Sequence, residues 1–100
     1  MKNEAFNKAN IHEAQNILLD IQYILCWQLH LPPFEELRKA IKVVEQENTK
    51  QFHLVDRWLF ELLRGFYDTG CLRGVPEEER NSLFTKIEKV QNLLKEVSTQ

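Results

Sequence analysis

Proline and glycine each occur only three times in these 100 residues, at positions 32, 33 and 76 and at positions 65, 70 and 74. A β-rich domain of this length needs a turn every 8–12 residues or so, and turns are built mostly from those two residue types. With punctuation this sparse, long helices are the economical solution. Leu, Glu, Lys and Gln, all good helix formers, fill the intervals. The chain is also too short to hold two hydrophobic cores.

Capping chemistry and apolar spacing predict helices over 11–30, 33–47, 49–69 and 76–97. Asn10 followed by Glu13 reads as a capping box at the first start, and Pro32 and Pro33 block the same helix near His30. Pro33 suits the first position of the second helix, whose Glu35 and Glu36 complement the helix dipole. Glu35 and Lys39 are spaced for an i,i+4 ion pair. Asn48 and Gln51 repeat the capping-box pattern before the third helix, and Gly70 is placed to end it in the left-handed conformation. Pro76 and the run Glu77, Glu78, Glu79 open the fourth, which is expected to fray at Ser98.

The apolar seams are Ile11, Ala14, Ile17, Leu18, Ile21, Ile24, Leu25 and Leu29; Phe34, Leu37, Ala40, Ile41 and Val44; Phe52, Val55, Trp58, Leu59, Leu62, Leu63 and Phe66; and Leu83, Phe84, Ile87, Val90, Leu94 and Val97. Short connections make consecutive helices neighbours. The expected fold is all-α, an antiparallel up-down four-helix bundle forming a single domain over residues 1–100.

These seams leave a surplus on the first helix. On a wheel of 100° per residue, Leu19, Tyr23, Cys26, Trp27 and His30 form a second stripe roughly opposite Ile17, Ile21 and Leu25. A helix that is apolar nearly all round is central or covered, and a square of four helices has no centre position. The cover is either the chain itself, through Phe6, Leu72 or Val75, or a partner. Leu54 and Trp58, with Gly65 and Thr69, flank the core face of the third helix, and Gly65 is placed for close backbone approach. We therefore expect a protein-binding surface of Leu19, Tyr23, Cys26, Trp27, His30, Leu54 and Trp58, most simply in a homodimer.

Chemistry of other kinds is thinly represented. No glycine-rich phosphate loop, HExxH, CxxC or EF-hand pattern is present, and Ser82 and Ser98 lack a His nearby in sequence. The expectation is a non-enzyme without catalytic residues or cofactor. Cys26, His30 and Cys71, with Asp68, fall at one pole of a bundle and are the only combination resembling a metal or disulfide site. Two cysteines are more economically read as inert thiols, so no metal is expected. His53, Arg57, Glu61, Arg64 and Asp68 make a salt-bridge-laced water face. Asp56 falls between Leu63 and Tyr67, where half-burial against a Lys or Arg of a neighbouring helix is expected, the alternative being a contact for a partner.

Thirteen basic against fifteen acidic residues give a net charge of −2, which offers nucleic acid no general attraction. The alternative of a helix-turn-helix, with Lys50, His53 and Arg57 facing a groove, carries Glu61 and Asp68 on the same face. The longest apolar run, Tyr23 to Trp27, is far below the roughly 20 residues of a membrane span. With no secretory pattern at Met1 to Asn10, a cytoplasmic location is expected. The layout of about 100 residues, antiparallel helices and an aromatic-rich middle resembles the small cytosolic immunity proteins that protect producers of antibacterial peptides, which implies a second interaction-type function.

Overall fold

A computed structural model describes the backbone of residues 4–98 and the side chains of residues 7–97. The fold is an all-α four-helix bundle, 82% helical and without strands among the described residues. Helix α1 spans Glu4–Tyr23 and runs into a π-helical turn at Ile24–Gln28; α2 spans Glu35–Glu45, α3 Phe52–Thr69 and α4 Glu77–Ser98. The helices form a ring in which α1 packs most extensively on α4, α2 on α3, and the remaining seams are α3 with α4 and α1 with α2. Glu13 pairs with Lys89 while Asp20, further along α1, pairs with the earlier Lys86, so α1 and α4 run in opposite directions. Phe34 at the start of α2 meets Phe66 near the end of α3, edge to face at 5.4 Å, which sets the same relation between those two.

The core is one continuous cluster. Ala14, Leu18, Ile21 and Leu25 of α1 meet Leu37, Ala40 and Val44 of α2, Phe52, Val55, Leu59 and Leu62 of α3, and Leu83, Ile87, Val90 and Leu94 of α4. Ile17, Ile24, Leu29, Trp58, Leu63 and Phe84 of the expected seams are only partly buried at its edge. Val43 and Leu72 were not among those seams and are buried in it.

Several expected boundaries are corrected. Asn10 does not cap α1, which begins at Glu4; it is buried within the helix, where Nδ2 donates to Leu93 O at 3.4 Å and to Glu96 Oε2 at 3.1 Å. Residues three apart share a helix face, so Asn10 and Glu13 serve contacts with α4 instead of a cap. Asn48 makes no side-chain cap either: the chain passes through a 3-10 turn at Thr49–Gln51 before α3 starts at Phe52. Pro33 lies outside α2, because Phe34 is extended where it packs on Phe66. Pro76 is one residue outside α4, its carbonyl accepting from Arg80 N. The ion pair of Glu35 is with Arg38 at 3.2 Å, while Lys39 Nζ stands 5.8 Å from the ring centroid of Trp58.

Gly70 ends α3 at φ 63 as its position predicts, with its N–H donating to Phe66 O. The end of α2 reaches the same geometry with a worse residue. Glu47 has φ 53, its N–H bonds Val44 O and the next N–H, of Asn48, bonds Val43 O, the paired hydrogen bonds of a Schellman stop. An L-residue in that region costs about 1–2 kcal/mol that glycine avoids, against glycine's greater freedom when unfolded. Glu47→Gly is expected to raise stability by about 0.5–1 kcal/mol, seen as a higher urea midpoint with unchanged slope.

Candidate functional site

The outer face of α1 follows from what its other faces are committed to. Ile11, Ala14, Leu18, Ile21 and Leu25 point into the core. Glu13 and Asp20 reach the lysines of α4, and Ile24, Gln28 and Leu29 line a cleft with Val75, Glu79 and Leu83 on that side. His12, Asn16, Leu19, Tyr23 and Trp27 are left on the exposed line directly away from the core. Leu19, Tyr23 and Trp27 are respectively 43%, 53% and 71% exposed.

The π-helical turn shapes the upper half of this line. Leu29 N–H bonds back to Ile24 O, and Leu31 N–H reaches Leu25 O, which His30 permits by adopting φ 55. In an α-helix a four-residue step overshoots a full turn, so a stripe of i,i+4 residues drifts round the axis. A ring that takes one more residue per turn reverses that drift. Trp27, one such turn after Tyr23, is exposed, while Cys26 beside it is half-buried and His30 beyond the turn is exposed.

Neither of the described segments expected to cover this stripe does so. Leu72 belongs to the core, and Val75 is partly buried against it. Phe6 lies outside the described side chains. Leu54 and Trp58 are half-buried at the edge of α3, Trp58 beneath Lys39, and α3 is diagonal to α1 in the ring. Leu19, Tyr23 and Trp27 thus share the exposed outer face of α1 and its π-helical turn, with half-buried Cys26 beside Trp27 in the same turn and exposed His30 two residues beyond it, while Leu54 and Trp58 lie on α3. Gly65 is not a close-approach position within the chain, since a methyl group there would meet nothing within 4 Å.

A second apolar area escaped the sequence reading. Phe60 and Tyr67 on α3 are 67% and 79% exposed, with half-buried Leu63 between them and Phe84 of α4 beside Tyr67. Their three- and four-residue spacing was the available signal. Asp56 on the same line is exposed, correcting its expected half-burial.

Other arrangements are less developed. Among the described residues no group of three or more His, Cys, Asp or Glu side chains converges to hold a metal ion, and Cys26 and Cys71 are both free thiols, half-buried. The helix-turn-helix cations Lys50, His53 and Arg57 are exposed, with Arg57 at 3.8 Å from Glu61 and the neighbouring Arg64 at 3.8 Å from Asp68. No described helix is long and apolar enough to cross a membrane. No protein-family model matches the chain, and no curated protein or solved structure matches it significantly.

Proposed function

We propose that this chain is a non-enzymatic helical protein–protein interaction module that pairs with a second copy of itself through the outer face of α1. The observation that carries this reading is the exposure of Leu19, Tyr23 and Trp27 in one line, on a helix whose opposite side already completes the core. Burying a large apolar side chain is worth about 1.5–3 kcal/mol, and roughly half of each of these three remains in water, so they offer on the order of 2–5 kcal/mol gross per protomer. In a two-fold dimer every residue contributes twice. Aromatic anchors with a polar margin, here His12, Asn16 and His30, are the usual composition of an interface centre and rim.

Solution mass by light scattering across a hundredfold concentration range tests the reading. A dimer that forms with concentration, equally with and without reductant, is expected. The reductant arm matters because Cys26 adjoins the stripe and a disulfide between two copies would imitate association. A monomer throughout would reject self-pairing.

A further inference from the structure

The pole where α3 ends and α4 begins holds a cleft of about 290 Å³. Two guanidinium groups, from Arg73 and Arg80, line it together with the rings of Phe66, Tyr67 and Phe84. Phe66 is buried and Phe84 half-buried, while Tyr67 stands exposed at the side. Arg80 is half-buried, and its Nε is shielded from solvent without any hydrogen-bond partner, the one such side-chain atom among the described residues. A guanidinium cannot shed its charge and presents N–H donors only; with Nε closed to solvent, its terminal N–H groups are the donors left to take an oxygen from the cleft, and an acceptor for this cation is an unmet demand.

Nothing nearby in the chain meets it. Among the described residues no carboxylate lies within 4 Å of Arg73 or Arg80, although Glu77, Glu78 and Glu79 immediately precede the latter. Glu79 is turned to the cleft between α4 and α1, and Asp68 is engaged by Arg64. Arg73 is held over the turn by Gly70, where a β-carbon would come within 3.1 Å of Arg73 Nε. The same left-handed glycine that ends α3 thus leaves room for the second guanidinium.

We propose that this cleft binds a small oxyanion carried on an apolar ring: a carboxylate or phosphate monoester taken by the Arg80 and Arg73 donors, with the ring against Phe84 and Tyr67. Arginine forks match the planar geometry of carboxylate and phosphate oxygens, and the volume is that of a small ligand site. The site lies on α3 and α4, away from the α1 stripe, and stands independently of self-pairing.

Nuclear magnetic resonance titration reads it directly through the Arg Nε–H signals. Phenyl phosphate and benzoate are the ring-bearing probes; inorganic phosphate and benzyl alcohol supply the anion and the ring alone. Saturable shifts of the Arg80 and Arg73 Nε–H signals are expected with phenyl phosphate or benzoate, at an affinity at least about tenfold above that of either half-probe. Arg80→Gln is expected to weaken that binding by about tenfold or more, corresponding to the loss of a charge-assisted pair, with the melting temperature unchanged. Arg73→Gln, at an exposed position, repeats the test should Arg80→Gln unfold the chain. Absence of saturable shifts up to about 10 mM, equal binding of either half-probe, or full binding by the folded variants would each overturn the proposal.

Discussion

Replacing Leu18 by alanine is expected to cost about 2–5 kcal/mol, whereas the same change one residue later, Leu19→Ala, is expected to alter stability by no more than about 0.5 kcal/mol. The two leucines are chemically identical neighbours on one helix, and only their direction differs. Leu18 is fully buried in the core, so its truncation leaves a cavity that close-packed neighbours fill incompletely. Leu19 keeps much of its surface in water already. In a domain of this size each kcal/mol corresponds to roughly 4–8 °C in melting temperature, so Leu18→Ala should lower it by roughly 8–40 °C at concentrations where the chain is monomeric. Calorimetry of the pair checks the assignment of inner and outer faces in one comparison. Equal destabilisation by both would mean that α1 is rotated from the orientation described.

The second large effect is expected at Trp27. With about 1–2 kcal/mol lost per copy on truncation, and two copies in each dimer, Trp27→Ala should weaken self-association by about 30-fold to 1,000-fold. Tyr23→Ala, at the middle of the line, should act in the same direction. Sedimentation equilibrium provides the constants, and urea unfolding below the dissociation range controls for folding. Association that survives both substitutions would move the contact elsewhere, and the area around Phe60 and Tyr67 is where the next substitutions belong. Loss of folding in both would make these residues part of the core and remove the interface.

The four helices were legible because their signals are local and repeated: sparse proline and glycine, and apolar residues at three- and four-residue spacing. The left-handed end at Gly70 was equally plain, since one residue type supplies that conformation at little cost. Asn10 was not, because Asn-x-x-Glu describes both a capping box and two polar residues on one helix face. Only the position of Leu93 and Glu96 of α4 distinguishes these uses, and that is a long-range fact. The π-helical turn has no capping signature in the residues of Ile24–Gln28; it is recognised from the hydrogen bonds of Leu29 and Leu31. The stripe on α1 could be read from periodicity, but its exposure depended on Leu72 entering the core instead of lying across Trp27. Arg73 and Arg80 are seven residues apart, across a turn and a helix start, and only the fold places them around one cleft.

The bond from Asn10 to Glu96 also means that the first half of α1 and the last turn of α4 are physical neighbours. Closing a loop of that length costs only slightly more entropy than closing a short one, since the penalty grows with the logarithm of the number of residues. The bundle is therefore a closed circuit in which no helix sits at a free edge. Its identity lies in the cyclic order of helices about the axis, and the place where the polypeptide is cut is secondary. A linker from the end of α4 to the start of α1, with the chain opened at the turn after α2, would leave the four helix-to-helix seams in place while changing which two helices are first and last.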